Sequence, residues 1–110
     1  MANPFDLGKL GDIMEQAKLM QERLASIQNE VGARTVEGSA GGGMVKARVS
    51  GKIEVQKITI DPQVFASSDR EMLEDLIVAA VNEGIRRAQG MMAEEMAKLT
   101  GGLKIPGLGG

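Results

Sequence analysis

The stretch MVKARVS, at residues 44–50 of this 110-residue chain, decides the fold. Apolar side chains alternate there with Lys46 and Arg48, which is the pattern of a strand with one buried face. A strand of this kind needs partner strands on its edges and a cover for its apolar face. The sequence on either side of it indicates both.

Two further strands are predicted next to this one. A weaker strand spans residues 34–39 around Val36, and three glycines at 41–43 link it to the central strand. After a turn at Ser50-Gly51 the alternation resumes, and then residues 58 and 60 take the opposite phase. Because a slip of one residue exchanges the two faces of a strand, we predict a bulge or twist near Gln56-Lys57. The three strands form an antiparallel meander that ends at Asp61-Pro62, since proline cannot donate to the ladder.

A long amphipathic helix is predicted before the strands, over residues 6–31. Its apolar residues recur in steps of three and four, the spacing of a heptad seam. Gly32 follows the last of them and suits a left-handed C-cap. The seam is made of Leu10, Ile13, Ala17, Met20, Leu24, Ile27 and Val31.

A second long helix is predicted after the strands, over residues 69–99. Ser68 and Glu71 match a capping box, with Ser68 as N-cap and Glu71 at N3. Gly84 and Gly90 interrupt the pattern and mark places of close approach or bending. The apolar positions of this helix are Leu73, Leu76, Ile77, Ala80, Val81, Ile85, Ala88, Met92, Met96 and Leu99.

The predicted architecture is α+β: long helix, three-stranded antiparallel meander, long helix. Residues 1–100 form one domain, and residues 101–110 form a flexible Gly-rich tail. A helix of about 30 residues is about 45 Å long, whereas a compact domain of this size is only about 35 Å across. The apolar stripe continues through Met92, Met96 and Leu99, so we predict that a second copy covers it in a homodimer. The alternative is a helix that breaks at Gly84 or Gly90 and folds back.

The composition excludes several classes of function. The chain has no Cys and no His, which removes disulfides, thiolate or imidazole nucleophiles and ordinary zinc sites. The acidic pairs Glu74-Asp75 and Glu94-Glu95 are more typical of solvated helix surface than of an acid/base dyad. The glycines at 41–43 lack the Gly-Lys-Ser/Thr ending of a phosphate loop and precede a strand, so a hairpin is favoured. We therefore predict no enzyme, no cofactor and no metal.

The N-terminus lacks the basic and apolar parts of a secretory signal, and no apolar run reaches the length of a membrane span. We expect a cytoplasmic protein that has no membrane partner.

The charges are unevenly distributed, although the net charge is only -2. Residues 34–60 carry five basic against two acidic side chains, whereas residues 69–99 carry seven acidic against four basic. Lys46 and Arg48 share one face of a strand, and Arg86-Arg87 form a positive spot on the acidic helix. In a dimer each basic group appears twice and can contact phosphates on both sides of a duplex. The alternative is an ordinary solvated sheet face, with Lys serving solubility and edge protection.

The sequence resembles the YbaB/EbfC family of bacterial nucleoid-associated proteins over nearly its whole length. The resemblance implies a homodimer of helix-strand-strand-strand-helix protomers, with helices that project like the arms of tweezers. It also implies a small protein of the cytoplasm and nucleoid that binds DNA, alters its conformation, influences gene expression and needs no cofactor. The segments that carry the resemblance are MEQAKLMQ (14–21), VEGSAGGGMVK (36–46), KITIDP (57–62), EMLEDLI (71–77), MAKLTGGL (96–103) and Pro106-Gly107.

Two hypotheses follow. The first is a dimeric DNA-binding architectural protein whose phosphate contacts are weakly sequence-specific. The second is a protein-interaction module in which the Met-rich end of the second long helix and the C-terminal tail dock onto another protein. For the first hypothesis the candidate contacts, inferred from charge alone, are Arg23, Arg34, Lys46, Arg48, Lys52, Arg86 and Arg87.

Overall fold

The computed structural model describes residues 7–101 of the chain. The order of elements is helix, three strands, short helix and long helix, so the predicted α+β architecture is confirmed, with one element added. The predicted tail lies outside the described residues, apart from Gly101. The elements are α1 (Leu7–Ala33), β1 (Thr35–Ala40), β2 (Val45–Ser50), β3 (Val55–Ile60), α2 (Pro62–Ala66) and α3 (Arg70–Gly101).

The strands form the predicted antiparallel meander in the order β1-β2-β3. The alternation along β2 decides which face is buried, because Val45, Ala47 and Val49 are fully inaccessible to solvent. These three residues point toward α3, which packs across β1 and β2. The core is therefore a thin aliphatic layer between one helix and two strands.

A bulge in β3 explains the change of phase along that strand. Arg48 pairs with Lys57 while the next residue of β2, Val49, pairs with Val55, so Gln56 is the extra residue. This confirms the bulge predicted near Gln56-Lys57. Because of the bulge, Val55 shares the α3 side of the sheet with Ile58 and Ile60.

Gly38 and Gly84 allow α3 to approach the sheet closely. A Cβ at Gly38 would collide with the backbone of Ala80 and Gly84, and a Cβ at Gly84 would lie 2.6 Å from Val49 Cγ2. The close approach predicted at Gly84 is confirmed. Gly90 has open space around its Cβ position and lies within an unbroken α3, so the predicted alternative of a broken helix is wrong.

The start of α3 differs from the sequence prediction. The N-cap is Asp69, whose Oδ1 accepts a hydrogen bond from Met72 N at 3.0 Å. Ser68, the predicted cap, has φ +64 and forms the turn between α2 and α3. The prediction missed α2, which begins directly after the β3 strand, so the chain reaches α3 through a second turn. Asp61 caps α2 by accepting from Gln63 N at 2.8 Å, and Pro62 occupies its first turn.

The end of α1 also differs from the prediction. The helix continues through Gly32 to Ala33, and Gly32 is not among the residues with positive φ, so the predicted left-handed C-cap is wrong. The absence of a side chain at Gly32 serves packing instead. A Cβ there would lie 3.0 Å from Lys52 Cγ, so the lysine stem lies over the last turn of α1.

The C-terminal parts of α1 and α3 pack against each other. Ile27 and Leu99 line the same groove, while Arg34, just after α1, lies 3.4 Å from Glu95. The sequence prediction assigned the end of α3 to a second copy; instead α1 of the same chain lies against it and Leu99 is buried. The first half of α1 leaves apolar side chains exposed, and Val55, Phe65 and Val78 are exposed elsewhere in the fold. This helix lengthens the molecule, whose extents are 81 × 28 × 17 Å.

Candidate nucleic-acid interface

Three basic side chains share the face of the sheet that α3 does not cover. Lys46 and Arg48 point away from the buried residues of β2, and Lys57 on β3 is the register partner of Arg48. Alternate residues on a strand are about 6.6 Å apart and paired strands about 4.8 Å apart, so the three cations form a compact triangle. We call Lys46, Arg48 and Lys57 the basic sheet face.

The pairing of Arg48 with Lys57 is electrostatically unfavourable. Like charges directly opposite on neighbouring strands destabilise a sheet. Within the described part of the chain neither side chain makes an ion pair or hydrogen bond with protein. Two unpaired cations at this spacing leave room for an anion between them. Sequence reasoning counted Lys57 among the basic residues but did not select it, because its face depends on the bulge.

Glu37 is the acidic member of this face. Its backbone lies opposite Arg48 in the register of β1 and β2, whereas its side-chain Oε1 lies 4.0 Å from Lys46 Nζ. Both side chains are about half exposed, so this contact is worth little and is easily exchanged for a phosphate. The face keeps a surplus of two positive charges after Glu37 is counted.

Arg86 and Arg87 lie on a different side of the molecule. Gly84 and Ala88 are buried against the sheet, and residue 86 is about 200° around the helix from residue 84. Both arginines are exposed, and Arg87 Nη2 lies 3.1 Å from Glu83 Oε1. Within one protomer they cannot join Lys46 and Arg48 in a single phosphate-contact surface.

Arg23 and Arg34 lie near the end of α3. Arg23 lines the groove between α1 and α3, together with Glu95 and Lys98. Arg34 Nη1 lies 3.4 Å from Glu95 Oε1. The structure therefore separates six of the seven candidates into three locations: the sheet face, the outer surface of α3 and the groove between the long helices. Lys52 occupies a fourth.

Lys52 has a packing role that its charge alone did not indicate. Its aliphatic stem lies over Gly32 in the last turn of α1, and this contact places its ammonium near the carbonyl end of that helix. The partial negative charge of a helix C-terminus stabilises a cation there. Lys52 thus joins the β2–β3 turn to α1.

The other motifs considered from the sequence have structural roles. Residues 41–43 have positive φ and form the β1–β2 turn, as the hairpin interpretation predicted. Glu74 pairs with Arg70 at 3.3 Å, and Glu95 pairs with two cations. Among residues 7–101 no cluster of acidic side chains is arranged to hold a metal ion, and no helix in that range could span a membrane.

Comparisons with known proteins agree with this architecture. The profile of the YbaB/EbfC DNA-binding family matches residues 7–103. A nucleoid-associated protein of Syntrophobacter fumaroxidans is 54% identical over 95 residues, which cover 86% of each chain. Nucleoid-associated protein TTE0040 of Caldanaerobacter subterraneus is 50% identical over 99 residues, covering 90% of this chain and 89% of that one. The crystal structure of the uncharacterized protein HP0035 from Helicobacter pylori superposes with a TM-score of 0.68 at 19% identity, covering 87% and 98% of the two chains.

Proposed function

The chain belongs to the YbaB/EbfC DNA-binding family, and from that membership we propose that it is a nucleoid-associated protein that binds duplex DNA through its basic sheet face. Lys46, Arg48 and Lys57 contact backbone phosphates in this proposal. The observation that carries it is the unpaired, like-charged couple Arg48 and Lys57 on an exposed sheet. A couple of this kind is stabilised by an anion between its members.

Contacts of this kind give weak sequence preference. Phosphate contacts position a protein on DNA but carry no base information directly. Phe65 is the sole aromatic side chain among the described residues, so base stacking has little to act through. We expect affinity that depends steeply on salt and little on sequence.

We further propose a homodimer located in the cytoplasm and nucleoid. The support is apolar surface that the single chain leaves open: Leu10, Ile13, Met14 and Leu19 on α1 are each at least half exposed. Val55 on β3 is 44% exposed, and α3 packs mainly on the other two strands. A second copy covers such surface and duplicates the basic sheet face. Two such faces on one duplex can alter its conformation and thereby influence gene expression.

The alternative function, protein capture by the Met-rich end of α3, has less support. Met91 and Leu99 are buried, and Met92 and Met96 are partly covered within the single chain. Little apolar surface is left there for another protein. The tail named in that hypothesis lies outside the described residues.

Two matched double variants test the proposed DNA interface. Lys46→Ala with Arg48→Ala removes two charges from the basic sheet face, and Arg86→Ala with Arg87→Ala removes the same charge from the outer surface of α3. Fluorescence anisotropy with a labelled duplex at several salt concentrations gives affinity and salt slope. We expect the sheet variant to lower the slope by about 0.9 for each phosphate that the protein no longer neutralises, and the helix variant to leave it nearly unchanged.

The opposite result, in which only the helix variant loses affinity, would place the interface on α3. Equal losses would mean that net charge alone controls binding. A wild-type protein that does not bind duplex at low salt would overturn the proposed function.

A further inference from the structure

One carboxylate oxygen is shared by two cations where α1 and α3 meet. Glu95 Oε1 lies 3.4 Å from Arg34 Nη1 and 3.1 Å from Lys98 Nζ. The Arg34 contact joins residues 61 positions apart in sequence. Arg34 follows α1 directly, so this carboxylate links the base of one long helix to the end of the other.

The surroundings favour an anion at this position. Arg23 lines the same groove and makes no ion pair or hydrogen bond within residues 7–101. Ser26 adds a hydroxyl to the groove wall, although it also donates to Glu30 Oε1 at 3.3 Å. The cationic side chains stay accessible, with 57% of Arg34 and 73% of Lys98 exposed, whereas Glu95 is 25% exposed.

We propose that this groove is a second phosphate-contact site, in which Glu95 occupies the place of a DNA phosphate while the protein is free. This inference rests on the proposed DNA binding. When the backbone of a duplex enters the groove, a phosphate replaces the Glu95 carboxylate between Arg34 and Lys98. The guanidinium of Arg34 can hold two phosphate oxygens at once, which a single carboxylate oxygen at 3.4 Å does not exploit.

The consequence is that Glu95 acts against DNA binding. Each phosphate that enters must first displace an internal partner, so Arg34 and Lys98 contribute less affinity than free cations would. Sequence reasoning selected Arg34 from its charge but could not identify its competitor, because the two residues meet only in the folded chain. Lys98 was not among the candidates for the same reason.

Two substitutions with the same change in charge test this role. Glu95→Gln removes the competing carboxylate, and Glu94→Gln removes the neighbouring exposed one, which holds no cation within residues 7–101. In a duplex titration across salt concentrations we expect Glu95→Gln to raise affinity about three- to tenfold at low salt. We expect its salt slope to stay near the wild-type value, because the same phosphates are neutralised in both complexes. Glu94→Gln should raise affinity less and leave the slope unchanged.

The two glutamine variants are also made in an Arg34→Ala, Lys98→Ala background, which completes a mutant cycle. In that background Glu95→Gln should raise the affinity for duplex no more than Glu94→Gln does. If the two glutamine variants behave alike in the wild-type background, or if the Glu95→Gln gain persists without Arg34 and Lys98, the inference is wrong while DNA binding stands. If no variant binds duplex at low salt, the proposed function fails and this site with it.

Discussion

Gly38 shows how one missing side chain sets the distance between sheet and helix. Its Cβ position is occupied by backbone of α3, which cannot move aside as a flexible side chain can. We expect Gly38→Ala to destabilise the fold by about 2–3 kcal/mol, the cost of forcing extra volume into a packed layer. Urea unfolding at fixed protein concentration measures it.

The control for this substitution is Gly90→Ala. Nothing lies within 4 Å of a Cβ at Gly90, so the change should stabilise α3 by about 0.5–1 kcal/mol through helix propensity alone. Similar effects at the two positions would contradict the packing role of Gly38. In the sequence Gly84 and Gly90 look alike, since each interrupts the same helix, and only the packing of β1 and β2 on α3 distinguishes them.

The candidate site could be predicted in part from single residues. Lys46 and Arg48 follow from the alternation of β2 because their neighbours are fully buried. Lys57 could not be selected, since a single bulge residue decides its face. The packing of Lys52 on Gly32 and the ion pair of Arg34 with Glu95 join residues that are distant in sequence, so charge alone could not indicate either contact.

At the scale of elements, the caps of α2 and α3 define the corner between sheet and helix. Asp69→Ala removes the side chain that accepts from Met72 N, and we expect a loss of about 1 kcal/mol in the free energy of unfolding. Ser68→Ala should cost much less, because Ser68 lies in the turn before the cap. Urea titrations of both variants measure the difference, and a larger loss at Ser68 would favour the capping box that the sequence suggested.

Long periodic segments were predictable, and short junctions were not. The two long helices and the three strands each carry several repeats of a 3.6- or 2-residue pattern, which decides their type. α2 has only five residues and a single buried one, Val64, so it carries no periodic signal. Asp61-Pro62 was interpreted as the end of a strand, which is correct, but the same two residues also begin a helix.

At the scale of the whole molecule, the proposed homodimer can be tested at the exposed apolar stripe of α1, which is formed by Leu10, Ile13 and Met14. Ile13 is 62% exposed, and a glutamate there would place a charge in the centre of the stripe. We expect Ile13→Glu to convert the dimer to a monomer in sedimentation equilibrium. Burying an unpaired carboxylate in an apolar interface costs more free energy than the burial of the apolar side chains supplies. Asn29→Glu adds the same charge at an exposed position about 160° around α1 from Ile13, outside the stripe, and should leave the mass unchanged. A monomeric wild type would contradict the dimer.

The same variant connects assembly to DNA binding. If each protomer supplies one basic sheet face, the monomer makes half the phosphate contacts of the dimer, so the salt slope of Ile13→Glu should fall to about half the wild-type value. Its affinity should fall much further, because the second face then no longer binds at the high effective concentration that linkage provides. The Lys46→Ala, Arg48→Ala variant should keep the mass of a dimer and still lose affinity. An Ile13→Glu monomer with the full wild-type slope would show that one protomer carries the whole interface.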